Sequence, residues 1–309
     1  METIRFQNWS RTLAANKKMG ASSEKREFGL SEFRLGPKAR GAGFRFRAFD
    51  SVGSTNNEAA AASAKGDPGN IWFAALQQTT GRGRRGRKWE SAYGNLAASL
   101  LLRPNVDPTV AATLGFVAGV ALCRALREIM PETINGGGDI GAGSGAERCV
   151  LKWPNDVLAD GAKLAGILLE AQTGSSGALE ITIGIGVNVV SAPQGLPYPT
   201  ICTNELGASA DAQKIFELLA EHWVDVYAMW DNGAGISRVL NIWRQYAAGV
   251  GNQVIVNVDD EIIQGIFEAI DDTGRLIVKT NDGQTKAIAA GDVHFGAAAS
   301  IKSNERMDS

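Results

Sequence analysis

The chain has 309 residues, with 31 Lys/Arg against 33 Asp/Glu and a formal net charge of −2. That length suggests one large domain, or one large and one small, able to bury a core without staples. The near-zero balance excludes a generic polyanion binder, and three widely spaced cysteines with two histidines exclude a disulfide framework or a multi-His metal centre.

The charge is unevenly spread. Residues 1–47 carry 11 basic and 4 acidic side chains, and the remainder carries 20 and 29. The basic leader has no continuous apolar h-region, so a secretory signal is not expected. Its mixed composition favours a disordered tail or a misassigned start over a transit peptide. No continuous apolar run reaches the ~18 residues of a membrane span. The odd, scattered cysteines fit a reducing cytoplasm.

Arg45 to Phe49 alternates like a strand. Ser54-Thr55-Asn56-Asn57-Glu58 has the residues of a helix start, a hydroxyl cap with an acid nearby, ahead of an alanine-rich run. Ile71–Leu76 and Asn95–Leu102 read as buried strands on either side of a Gly/Arg loop, Gly81 to Lys88. Pro108–Met130 has helical periodicity. Asn135 to Gly145 holds six glycines in eleven residues, the composition of a flexible surface loop. Val150–Trp153 is a strand stopped by Pro154-Asn155-Asp156. Leu164–Ala171 and Leu179–Val190 form a strand pair, and Ala212–Trp230 and Ile236–Tyr246 are helical. From Gly251 the period becomes two, with acidic-Gly turns at regular spacing. The tail thus reads as a small β-barrel-like domain behind a mixed α/β body. The predicted boundaries are a basic, flexible extension over 1–43, a catalytic domain over 44–247, a β-domain over 248–299 and a tail over 300–309.

Gly81-Arg82-Gly83-Arg84-Arg85-Gly86-Arg87-Lys88 spells the G-x-G-x-x-G of a dinucleotide turn. The residues that follow make a poor helix, however, and a phosphate-cradling turn uses backbone N–H groups rather than guanidinium forks. Four arginines and a lysine on a glycine backbone suit an anionic ligand instead. Arginine forks bind phosphate and carboxylate bidentately. Empty, such a loop is expected to repel itself and stay disordered until an anion closes it as a lid. In Lys152-Trp153-Pro154-Asn155-Asp156 the proline presents Asn155 and Asp156 at a strand end. Lys163 opens the next apolar strand. Gly184 and Gly186, in Gly184-Ile185-Gly186-Val187-Asn188, suggest either a bulge or a close approach to the backbone.

Taken in order, Ser54-Thr55-Asn56, Gln78, GRGRRGRKW (81–89), GNLAASL (94–100), KWPND (152–156), KLAGILLE (163–170) and GIGVN (184–188) resemble the biotin protein ligases over roughly residues 46–296. The resemblance implies an α+β fold: a mixed-sheet catalytic domain similar to class II aminoacyl-tRNA synthetases and lipoate ligases, then an SH3-like β-barrel. It is to the short class without a DNA-binding domain, so no DNA partner and no membrane are expected. A homodimer is plausible from the family. The implied reaction joins biotin to ATP, with Mg²⁺ accompanying the nucleotide, to give biotinyl-5′-AMP. Biotin then passes to a lysine of a biotin carboxyl carrier protein.

By that resemblance, Ser54, Thr55, Asn56, Gln78, Arg82, Gly83, Arg84 and Lys163 hold biotin. Arg85, Arg87, Trp89, Lys152, Asn155 and Asn188 hold the nucleotide. Lys163, Arg84 and Asp156 are the expected catalytic groups, Asp156 either orienting the acceptor lysine or helping to hold Mg²⁺. The assignment is chemically sensible: neutral hydroxyls and amides match a neutral ureido ring, and cations bring two repelling anions together. The alternatives are a lipoate or octanoyl ligase of the same fold and a nucleic-acid-binding regulator.

Overall fold

The computed structural model describes residues 33–131, 148–174, 177–259 and 261–295. Residues 1–32, the glycine-rich stretch Asn135–Gly145 and the tail from 300 lie outside the described residues.

A short helix α1 (Pro37–Gly41) leads into strand β1 (Arg45–Phe49), helix α2 (Thr55–Ala64) and strand β2 (Ile71–Ala75). After the Gly/Arg loop come β3 (Leu96–Leu102), α3 (Pro108–Ala111) and α4 (Leu114–Ile129). Then follow β4 (Cys149–Lys152), β5 (Asp156–Ala159), β6 (Ala162–Thr173), β7 (Leu179–Val187), α5 (Ala212–Trp230) and α6 (Ile236–Gln245). The C-terminal part contains β8 (Gln253–Val258), β9 (Glu261–Ile270), β10 (Leu276–Thr280), β11 (Thr285–Ile288) and β12 (Asp292–Phe295).

The first seven strands form one sheet in the order β1-β2-β3-β7-β6-β5-β4. Only β1 and β2 run parallel; the other neighbours are antiparallel, so the sheet is mixed. Period-two alternation gives it two faces. Trp72, Leu96, Ala98, Leu100, Ile185 and Val187 enter the large core, to which α4, α5 and α6 contribute. Ile71, Phe73 and Leu101 face α2 through Ala59 and Ala62. The last five strands form an antiparallel sheet, β11-β10-β9-β8-β12, as expected for an SH3-like domain.

Four differences from expectation have physical reasons. Asp156 opens a strand rather than closing a turn, because β4 and β5 form a tight hairpin with Lys152 opposite Asp156. Ser54 takes the N-cap position of α2 without a side-chain capping bond. Gln78 does that work, its Oε1 accepting from Thr55 N at 2.7 Å. The stretch 33–43 is packed rather than free. Phe33, Leu35 and Ala39 are buried, and Glu221 of α5 accepts from Ala39 N at 2.8 Å. Finally, residues 108–129 are long and apolar enough to cross a membrane, with a mean hydropathy of 1.8 over their most apolar 18 residues. Their apolar side chains line the core against α5 and α6 instead.

Candidate active site

The α2-facing side of the sheet becomes shallow between β3 and β6. In register, Ser99 faces Gly184 across to Leu168, and Ala97 faces Gly186 across to Gly166. A cleft of about 820 Å³, counting the solvent space in its mouth, opens above this floor of small residues. A Cβ on Gly184 would strike Asn56, and one on Gly186 would strike the ring of Trp89. Close approach, not a bulge, is therefore why both positions are glycine.

One end of the cleft is neutral and polar. Ser54, Thr55 and Asn56 come from the start of α2, and Gln78 from the segment that follows β2. Gln78 Oε1 lies 2.7 Å from Thr55 N and 3.1 Å from Thr55 Oγ1. Asn56 Nδ2 donates to Glu170 at 2.6 Å. Beneath them the fully buried Ser99 Oγ stands 2.7 Å from Thr55 Oγ1 and 2.5 Å from Asn56 Oδ1.

The other end is cationic. Arg82, Gly83, Arg84 and Arg87 line it from the Gly/Arg loop, with Lys163 from β6. Lys163 Nζ is 2.8 Å from Asp156 Oδ1 and lies 5.8 Å and 5.7 Å from the ring centres of Trp89 and Tyr198. Asn155 is fixed to β6, its Nδ2 donating to Ile167 O at 2.7 Å, and its Oδ1 accepts from Arg84 at 3.1 Å. Burial pushes the Arg84 guanidinium down from its ordinary value, and Asp292 works against that shift.

The Gly/Arg loop is not the self-repelling strand expected of an empty lid. Its ends close as a ribbon, with Arg82 bridged to Lys88 and Trp89 N donating to Gly81 O at 3.0 Å. A single 3₁₀ turn, Arg84–Gly86, sits at the tip, with Arg85 and Gly86 at positive φ, and no α-helix follows it as a dinucleotide turn requires. Carboxylates of the protein itself neutralise the charge. Asp292 of β12 gathers Arg87 in a very short ion pair, Arg85 at 3.3 Å and Arg84 at 4.0 Å. Asp259 adds a 3.8 Å contact to Arg85, and Glu170 lies 3.6 Å from Arg82.

Three expected nucleotide residues stand apart from this cleft. Arg85 points at the carboxylates of the small domain. Lys152 lies under the Phe295 ring, 5.5 Å from its centre, where burial pushes its ammonium down. Asn188 is buried, and its Nδ2 faces Lys163 O at 3.4 Å and Ile201 O at 3.2 Å, tying a loop to β6. It borders a neighbouring hollow with Tyr198, Leu196 and Lys163. Trp153 is core, its Nε1 donating to Gly274 O of the small domain at 3.0 Å. Sequence reasoning missed Tyr198, Glu170, Ser99 and Asp292. Only Glu170 and Ser99 lie inside the quoted motifs; the other two are brought in by tertiary folding alone. Among the described residues no cluster of three or more His, Cys, Asp or Glu could hold a metal ion.

Residues 50–188 match the biotin/lipoate A/B protein ligase family, and residues 249–296 match the biotin protein ligase C-terminal domain. The chain is 38% identical over 250 residues to the biotin–[acetyl-CoA-carboxylase] ligase of Paracoccus denitrificans, covering 79% of this chain and 97% of that one. It is 33% identical to the corresponding ligase of Mycobacterium tuberculosis, covering 85% and 95%. The fold resembles that of the Aquifex aeolicus biotin protein ligase solved with biotin and ATP. That match has a TM-score of 0.68 and 22% identity, and covers 82% of this chain and 99% of that one. On the cleft and these two domains together, the chain belongs to the biotin protein ligases.

Proposed function

We propose that this ligase activates biotin with ATP to biotinyl-5′-AMP and transfers it to a lysine of a biotin carboxyl carrier domain. The observation that carries the reading is a single cleft, neutral at one end and cationic at the other, with Lys163 among the cations. Biotin has the complementary form, a neutral bicyclic head and an anionic tail.

In the first step a carboxylate oxygen of biotin forms a bond to the α-phosphorus of ATP. The bond to the bridging oxygen breaks, and pyrophosphate leaves with its electron pair. Both reactants are anions, so much of the barrier is electrostatic. Lys163 and Arg84 face that repulsion from two sides. Ser54, Thr55 and Gln78 fix the head, which sets the carboxylate's reach. Mg²⁺ would arrive with the triphosphate, keeping water and phosphate ligands, and Asp156 is the carboxylate of the cleft suited to meet it. Trp89, whose ring sits against Gly186 and Gly166, shields the anhydride from water.

In the second step the acceptor's amine nitrogen attacks the acyl carbon. The bond to the phosphate oxygen breaks, AMP leaves, and the nitrogen loses a proton. Asp156, already holding the ammonium of Lys163, is positioned to accept from a second one.

Biotin-dependent exchange of pyrophosphate into ATP tests the first step without an acceptor. The expected result is exchange with biotin and none with lipoate. Exchange with lipoate, or none with biotin, overturns the reading.

A further inference from the structure

The neutral end of the cleft rests on a chain of hydrogen bonds whose direction is fixed from one side. It runs from Glu170 through Asn56 and Ser99 to Thr55, with contacts of 2.6, 2.5 and 2.7 Å. A carboxylate only accepts, so Asn56 turns its Nδ2 toward Glu170 and its Oδ1 toward Ser99. Ser99 has one hydroxyl hydrogen. The Asn56 oxygen has no other donor among the described contacts, so Ser99 gives that hydrogen to it. Ser99 Oγ must then accept from Thr55, whose hydroxyl stands at 2.7 Å. The competing partner, Gln78 Oε1, is farther at 3.1 Å and already takes Thr55 N.

Thr55 thus spends its only hydroxyl hydrogen inward and offers lone pairs to the cleft. We infer that Ser99 and Glu170, which the substrate does not need to touch, are positioning residues that set the Thr55 hydroxyl as an acceptor, so that the site selects a ligand with an N–H donor there. This inference rests on the biotin reading above, since a ureido ring has an N–H on each flank. It explains why a serine, and not an alanine like its strand neighbours Ala97 and Ala98, stands fully buried in the middle of β3. A site built around a required hydrogen bond rejects analogues lacking it far more strongly than a merely apolar pocket does.

Calorimetric titration with biotin and with a cyclic-carbamate analogue, one ureido N–H replaced by oxygen, tests the inference. Wild type is expected to prefer biotin by about a hundredfold or more. Ser99→Ala frees the Thr55 hydrogen, which the analogue's ring oxygen can then receive in competition with the longer contact to Gln78 Oε1, so the preference falls about tenfold or more. Glu170→Lys presents a donor to Asn56, reverses the chain and lowers the preference similarly. Glu170→Gln removes the charge near Arg82 but keeps a carbonyl acceptor, so the preference stays within about twofold of wild type. Unchanged preference in Ser99→Ala and Glu170→Lys overturns the inference even if both bind biotin more weakly. So does an equal loss in Glu170→Gln, which would trace the effect to charge. Absence of biotin binding by wild type overturns the substrate reading itself, and this inference with it.

Discussion

Lys163 illustrates how one side chain acquires a task from its surroundings. It begins an apolar strand, where a lysine is ordinarily a solvated edge residue. Here it is held by Asp156 at 2.8 Å, 5.8 Å and 5.7 Å from the ring centres of Trp89 and Tyr198, among the cations of the cleft. Lys163→Ala should therefore lower biotin-dependent pyrophosphate exchange by about a hundredfold or more, the scale of losing one preorganised electrostatic partner. Circular dichroism should be unchanged. Exchange at the wild-type rate would remove Lys163 from the first step. The roles of Ser54, Gln78, Arg82 and Arg84 were suggested by motif and are supported by their convergence on one cleft. Asn188 lies outside that cleft, its amide turned to Lys163 O and Ile201 O, because its motif describes a strand end and is silent on which way the amide turns. The three cysteines are buried and free, and burial pushes Cys123 up to about 11 and Cys149 up to about 12, so neither is an activated nucleophile.

Among the elements, the Gly/Arg loop departs most from what its own sequence dictates. Four arginines within six residues ought to splay. The ribbon holds because Asp292, on a strand some two hundred residues away, binds three of them. No local pattern announces such a partner. Asp292→Asn should loosen the tip, and without nucleotide trypsin should cut after Arg84, Arg85 or Arg87 several-fold faster than in wild type. An unchanged cleavage rate would mean that the ribbon's backbone bonds suffice. The β9–β10 turn offers a second test. Burial pulls the Asp271 carboxyl up, but bonds from Arg275 N, Thr273 Oγ1, the Arg275 guanidinium and Thr273 N outweigh it and bring it down to about 2. A carboxyl depressed in the folded state stabilises above its unfolded value and loses that contribution as the pH falls toward the folded one. Asp271→Ala should cost about 2 kcal/mol at neutral pH, and the gap from wild type should shrink by about 1 kcal/mol between pH 5 and pH 3. A gap constant with pH would assign the loss to turn geometry.

At the scale of the molecule, the two-part organisation was visible from the change of hydrophobic period near residue 251. That the parts share one apolar core was not. Val254, Phe267 and Leu276 of the small domain belong to the same buried cluster as α4 and α6, and Arg244 Nε donates to Ile270 O at 2.8 Å. Composition likewise hid the fate of residues 33–43. Their basic charge marked them as a loose leader, whereas Phe33, edge-on to Phe216 at 5.5 Å, and the ion pair of Arg34 with Glu217 at 3.0 Å join them to α5. Phe33→Ala should cost about 3 kcal/mol, read from the denaturant midpoint, whereas a free extension would show no change.

The central claim is that one cleft both activates biotin and delivers it to a protein lysine. Mass spectrometry of a biotin carboxyl carrier domain, incubated with the protein, ATP, Mg²⁺ and biotin, tests it most directly. The carrier domain should gain the mass of one biotinyl group on one lysine, dependent on ATP and lost with Lys163→Ala. An unmodified carrier domain, or one that gains mass only when lipoate replaces biotin, would contradict it.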